Sequence, residues 1–215
     1  MEKFTASQVL AMDGLADWRV MLGALRSRFV TPDMSAGAAF VARMVEAANA
    51  ANHHPDLQVS YGHVDVDLTT HDAGGLTSRD VDMARTISAL AAEAGLDAEP
   101  AQRQVMEYAV DALDIDAVRP FWVAVTGLEP DERGDLPAAG TGVVAVWFQQ
   151  MDQPRPQRNR IHLDVTVPLE EAEGRVAAAV AAGGTLLSDA AAPRFWVLAD
   201  AEGNEVCVCT AAGRD

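Results

Sequence analysis

Cysteine is nearly absent from this 215-residue chain. Cys207 and Cys209 are its only two, too few for the disulfide framework that staples small secreted folds. Basic side chains are scarce as well, 16 against 32 acidic ones, for a formal net charge of −16 at pH 7. That balance argues against nucleic acid or an anionic membrane as partner, since both reward Lys/Arg patches. No apolar run approaches the ~20 residues needed to cross a bilayer. The opening MEKFTASQVLAMDG carries a Thr5-x-x-Gln8 helix start where a leader would be basic and then apolar. A cytoplasmic protein is expected. What the chain does have is apolar substance, 49% of its residues, enough to bury a core without staples.

The length allows one large domain or two small ones. Both halves are acidic, so charge does not divide them, but pattern does. Asp82 to Ala94 reads as a helix, with Met83, Ile87, Leu90 and Ala91 at helical spacing. Gly95 suits its C-cap, and Asp97-Ala98-Glu99-Pro100 breaks it. A linker is expected near 95–104, separating a domain at 1–97 from one at 104–215. In the first, Ser7 to Leu15 predicts a short helix and Trp18 to Phe29 a hairpin turning near Gly23. Met34 to Asn52 predicts an amphipathic helix with Phe40, Val41, Met44, Val45 and Ala48 inward. Leu57, Val59 and Tyr61, then Val64, Val66 and Leu68, alternate as two strands joined at Gly62. An α+β fold follows, an antiparallel sheet covered by helices.

The second half repeats itself. MEYAVDALDIDAVRPFWVAVTG and IHLDVTVPLEEAEGRVAAAVAAGG each read as strand, short turn, helix and glycine, with Glu107 aligned to His162. Strand patterns follow at Gly142 to Gln150, Phe195 to Leu198 and Glu205 to Cys209. Paired βαβββ modules forming one curved-sheet domain are expected.

The densest chemistry lies in residues 50–80. His53 and His54 stand where the long helix must stop, because Pro55 disfavours helical geometry just before it. There the helix dipole favours a protonated imidazole. With period 2, His63, Asp65, Asp67, Thr69 and His71 share the face opposite Val64, Val66 and Leu68, which puts His71 on the polar side of a sheet edge. Each residue also has a plain structural reading. Adjacent histidines before a proline describe a solvated helix end, and His63 an exposed hairpin residue. Thr77-x-x-Asp80 is a capping box opening the next helix after a Gly74-Gly75 turn. A zinc site is disfavoured, since His53 and His54 would have to point the same way and lack the i, i+4 spacing of helical ligands.

The string His53-His54-Pro55-Asp56, Tyr61, Val64 and Thr70-His71-Asp72-Ala73-Gly74-Gly75-Leu76-Thr77-x-x-Asp80 strongly resembles pterin-4a-carbinolamine dehydratase over about Thr5 to Ala92. The resemblance implies a pterin pocket lined by His53, His54 and His71, with Asp80 orienting a histidine or capping the helix, and Pro55, Thr70 and Asp72 shaping the site. It implies dehydration of a 4a-hydroxytetrahydropterin by imidazole acid–base catalysis, without metal, flavin or nicotinamide, in a homo-oligomer. Asn49 departs from the acidic residue the family often carries four positions before the first histidine. Glu46, on the same helical face as His53, is the candidate substitute.

Residues 105–211, through Pro120-Phe121-Trp122, Arg158-Asn159-Arg160-Ile161-His162-Leu163-Asp164-Val165 and Asp200-Ala201-Glu202-Gly203-Asn204-Glu205, resemble a glyoxalase/bleomycin-resistance (vicinal oxygen chelate) domain. Its metal positions would hold Glu107, Gln149 or Gln150, His162 and Cys207, of which only Glu107 and His162 are convincing ligands. A metal-free pocket is the expectation. Cys207 and Cys209 read as small buried hydrophobes. Arg155, Arg158 and Arg160 read as a solvated loop, and Trp122, Trp147, Phe148 and Trp196 as core rather than cavity wall. Two other functions remain compatible: a catalytically silent pterin-binding or dimerisation module, and a metal-dependent lyase or dioxygenase in the second half.

Overall fold

The structure is a computed structural model that describes residues 2–137, 144–154, 163–210 and 212. It divides into two compact units, Met1–Val105 and Met106–Asp215.

The first unit opens with α1 (Ala6–Leu10), started by the Thr5–Gln8 capping box. Strands β1 (Arg19–Met21) and β2 (Ala24–Val30) form a hairpin. Its turn takes positive φ at both Leu22 (46°) and Gly23 (72°), the backbone hand that matches the twist of the strands. Helix α2 (Met34–Ala51) begins at Asp33, whose carboxylate accepts from the Ala36 N–H, and ends at Asn52 in the left-handed region. Strands β3 (Asp56–Ser60) and β4 (His63–Leu68) follow, then a 3₁₀ turn at His71–Ala73 and α3 (Ser78–Ala94). The sheet is antiparallel in the order β1-β2-β4-β3. Its apolar face carries Leu25, Phe29, Val64, Val66 and Leu68, all buried with Phe40, Met44 and Ile87 from the helices. The Phe29 ring meets Trp18 and Phe40 edge-on, a favoured aromatic geometry.

Three local expectations are corrected. Val45 is 43% exposed and Val41 only half-buried; α2 docks along the narrower stripe of Gly37, Phe40, Met44 and Ala48. Helix α3 starts at Ser78, four residues before the Asp82 start that apolar spacing gives, and where the Thr77-x-x-Asp80 capping box places it. His71 is not on the strand: β4 ends at Leu68, and Thr70 and Gly75 close a short loop around the 3₁₀ turn.

The polar face of the sheet is not free either. Cross-strand register sets Arg26 opposite Asp67 and Arg28 opposite Asp65, and both pairs form ion pairs. Arg103 bonds both carboxylates. Burial alone would raise the Asp65 carboxyl, but the Arg28 hydrogen bond and the charges of Arg103, Arg28 and His63 hold it below the ordinary range. The backbone around residues 97–99, where the sequence suggests a linker, pairs with β2. Val30 N–H donates to Asp97 O at 2.9 Å, and Glu99 N–H to Arg28 O at 2.7 Å.

The second unit contains β5 (Glu107–Ala112), α4 (Ile115–Thr126) and β6 (Ala145–Gln150), then β7 (Leu163–Thr166), α5 (Leu169–Ala181), β8 (Thr185–Ser188), β9 (Phe195–Ala199) and β10 (Glu205–Cys209). β5 and β6 pair in parallel; the other four lie in the order β7-β10-β9-β8, with β7 and β10 parallel. The second βαβββ module is therefore complete. In the first, the described residues give strand, helix and strand, with a Leu136–Val146 bridge between. Val110, Phe121, Trp122, Phe148, Val176 and Trp196 share one core.

Candidate active site

Two helix termini in the first unit meet at a carboxylate. At the end of α2, the Asn52 N–H bonds Ala48 O and Asn49 O, and the His53 N–H bonds Ala48 O at 3.1 Å. This closing turn directs the next residue inward, and His53 is only 7% exposed. At the start of α3, Asp80 occupies the third helical position, fully buried. Its Oδ1 lies 2.8 Å from His53 Nε2. Its Oδ2 accepts from the Thr77 N–H at 2.7 Å and from the Thr70 hydroxyl at 2.7 Å. Thr70 and Thr77 hydroxyls are 2.8 Å apart; with the Thr70 proton on Asp80, the Thr77 proton points to Thr70. Asp80 thus both caps α3 and holds a histidine.

The donor and acceptor arithmetic fixes the imidazole. An ionised Asp80 Oδ1 can only accept, so His53 Nε2 donates to it, and in the neutral ring the lone pair is then on Nδ1. A carboxylate behind an imidazole orients the ring and stabilises the imidazolium when Nδ1 takes a proton.

His71 and His54 border this network rather than join it. His71 is exposed and directly follows Thr70, the buried donor to Asp80. His54 is exposed, with Nε2 3.0 Å from Asn49 Oδ1, so Asn49 serves His54, not His53. Glu46 is exposed, and the carboxylate on His53 is that of Asp80. Pro55 is half-buried, Asp72 exposed, and His63 half-buried with Nε2 4.0 Å from Asp65. One group at this site went unseen in the sequence: Lys3, whose ammonium donates to Gly74 O across 71 residues. No periodicity reports such a contact.

Among the described residues, the second unit does not gather its candidate ligands comparably. Glu107, Gln149 and Gln150 are exposed, and Gln150 donates to the carbonyl of Leu113. His162, Arg155, Arg158 and Arg160 lie outside the described residues. Cys207 is buried, and burial with the nearby Asp164 charge pushes its thiol up to about 11. Among the described residues no three His, Cys, Asp or Glu side chains are placed to hold a metal ion. Trp122, Phe148 and Trp196 belong to the core, while Trp147 is half-buried. A cleft opens beyond the carboxyl ends of β5 and β6, lined by Asp111, Leu113, Met151, Glu202 and Asn204. No helix among the described residues is long and apolar enough to cross a membrane.

Comparison with known proteins matches this division. Residues 2–90 fit the family model described as pterin 4 alpha carbinolamine dehydratase, and residues 107–209 the one described as glyoxalase-like domain. A Thermosynechococcus vestitus protein with the provisional name pterin-4-alpha-carbinolamine dehydratase is 46% identical over 77 residues, which is 36% of this chain and 81% of that protein. The crystal structure of a transcriptional coactivator/pterin dehydratase from Brucella melitensis is similar at 33% identity, over 42% of this chain and 99% of its own, with a TM-score of 0.38. A glyoxalase-related enzyme from Fulvimarina pelagi is similar at 23% identity, over 50% of this chain and 88% of its own, with a TM-score of 0.40. Through its first half the chain belongs to the pterin-4a-carbinolamine dehydratase family, and a glyoxalase-like domain follows in the second.

Proposed function

We propose that the first unit removes water from a 4a-hydroxytetrahydropterin, giving the quinonoid dihydropterin, by proton transfer between imidazoles. The observation that carries this reading is the His53–Asp80 hydrogen bond, in which Asp80 is also held by Thr70, the residue preceding His71. The reaction delivers one proton to the departing 4a-hydroxyl and removes one from N5, so the C4a–O bond breaks, a C4a=N5 double bond forms and one water leaves. No electron changes hands. Groups that titrate near neutral pH perform both transfers best, and histidine is the side chain that does so unaided.

His53, backed by Asp80, is one acid–base group, working through its Nδ1. His71, exposed on its turn, is the other. His54, with Pro55, Thr70 and Asp72, frames the heterocycle. The chemistry supplies about 10²–10⁴-fold over the spontaneous loss of water.

A spectrophotometric dehydration assay on the full chain tests the reading, with the carbinolamine generated in situ. Wild type accelerates the absorbance change, and His71→Ala loses roughly 10²–10⁴-fold in kcat. A wild-type rate equal to the uncatalysed one rejects the enzyme outright and leaves a pterin-binding module. An unimpaired His71→Ala rejects the role given to His71.

A further inference from the structure

The first residues of the chain converge on the turn that presents His71. Lys3 donates from its ammonium to Gly74 O, and the Phe4 N–H donates to Leu76 O at 2.8 Å. Between those two bonds the lysine stem lies across Gly75. A Cβ built on Gly75 would overlap Lys3 Cε and stand 3.2 Å from Cδ, so a side chain at residue 75 would push the flexible end of the lysine aside. Underneath, Thr70 and Gly75 exchange backbone hydrogen bonds of 3.1 and 3.4 Å, and Gly74 takes φ of 60°.

The turn needs such support. It is a three-residue 3₁₀ segment on the surface, held within itself by Ala73 N–H to Thr70 O and Gly74 N–H to His71 O, both 3.1 Å. Isolated 3₁₀ turns have poor hydrogen-bond geometry and little intrinsic persistence. A proton-transfer group, by contrast, must be held within about 0.5 Å of its productive position. An ammonium-to-carbonyl bond is charge-assisted and stronger than its neutral counterpart.

We propose that Lys3 and Phe4 form a strap that positions His71, with Gly75 leaving room for the lysine stem. Lys3 is a positioning residue; it acts through the turn and not on substrate. The inference rests on the acid–base reading of His71, and two kinds of measurement keep the two apart.

In the full chain, Lys3→Met retains the stem and deletes the ammonium. The expected result is about tenfold lower kcat with KM within about twofold, since misplacing a catalytic group costs rate more than binding. Amide exchange at Gly74 and Gly75 quickens while the unfolding midpoint stays put. Gly75→Ala loses a similar amount, because its methyl displaces the ammonium from Gly74 O. Lys3→Ala combined with Gly75→Ala returns to the rate of Lys3→Ala alone. The strap is overturned if Lys3→Met matches wild type in both kcat and exchange, or if the Gly75→Ala loss carries undiminished into the Lys3→Ala background. If wild type shows no dehydration, the acid–base reading fails instead. The exchange of Gly74 and Gly75 in Lys3→Met then decides the strap without reference to turnover.

Discussion

Asp80 in the first unit and Asp200 in the second are both buried carboxylates enclosed by hydrogen-bond donors, and their partners differ in kind. Asp200 in the second unit is 3% exposed and Asp80 in the first fully buried. Asp200 accepts from the Glu202 and Asn204 N–H groups at 2.9 Å each, from Asn204 Nδ2 at 2.8 Å and from the Trp122 indole at 3.0 Å. Asp80 accepts from a backbone N–H, a hydroxyl and an imidazole. Both satisfy the rule that a buried charge must be hydrogen-bonded from every side. An indole N–H never gives up its proton at ordinary pH, whereas an imidazole exchanges protons readily. The same device is therefore a fastener in one unit and, under the function proposed above, the support of a proton-transfer group in the other. Burial alone does not mark a site; the identity of one partner does.

That contrast can be broken most sharply at Asp80. Asp80→Asn keeps the shape, yet it sets an amide against donors and removes the charge behind His53. Dehydration is expected to fall by about 10²-fold, within the range that acid–base catalysis contributes. The check is kcat of the folded variant, with near-native circular dichroism as control. If Asp80→Asn retains full turnover, the carboxylate is only a cap and the two units are alike.

Asp200→Asn supplies the opposite expectation. It leaves two backbone N–H groups and an indole competing for a poorer acceptor, and stability is expected to drop by about 1–3 kcal/mol. The dehydration rate at a temperature where the variant stays folded should match wild type. Urea unfolding followed by tryptophan fluorescence measures the first, and the absorbance assay the second. A loss of turnover without unfolding would mean that Asp200 also serves chemistry.

The sequence makes the elements of the first unit easy to see, since Phe40, Met44 and Ala48 repeat at helical spacing and Val64, Val66 and Leu68 alternate. The family is legible for a different reason: two short blocks around His53 and His71 carry it. The Asp80 network is less visible, because nothing in either block's spacing says that residues 53 and 80 share a hydrogen bond. The alternation also runs on too far. Thr69 and Thr70 look like strand, but Thr70 pairs with Gly75 and turns the chain out of the sheet. Contacts made by long side chains across many residues leave no periodic trace. Arg103 on Asp65 and Asp67, and Lys3 on Gly74, are of that kind. In the second unit, the repeat reveals the order strand, helix, strand before any coordinate does. The cleft at the ends of β5 and β6 is assembled from three separate stretches, and only the one holding Glu202 and Asn204 belongs to a recognisable string.

The smallest expected effect concerns Cys207, which stands where the resemblance to oxygen-chelating domains would place an acidic ligand. Burial lifts its thiol from 9.0 to about 11, with the charge of Asp164 adding to the shift. The folded chain therefore keeps this proton where the unfolded chain releases it. Stability rises with pH only where the unfolded state binds more protons. Here the folded state binds more, so the contribution is level below about 9 and is lost as pH climbs from 9 to about 11. Urea midpoints across that window should fall more steeply for wild type than for Cys207→Ala. Labelling by a thiol reagent at pH 8 should likewise leave residue 207 unmodified until the chain unfolds, since the thiolate is the reacting form. Should both variants follow one pH curve and Cys207 react rapidly in the native chain, the thiol is open and ionisable. The second unit would then hold a titratable group at a place where ligands could reach it, and its contrast with the first would shrink to the difference between a thiol and an imidazole.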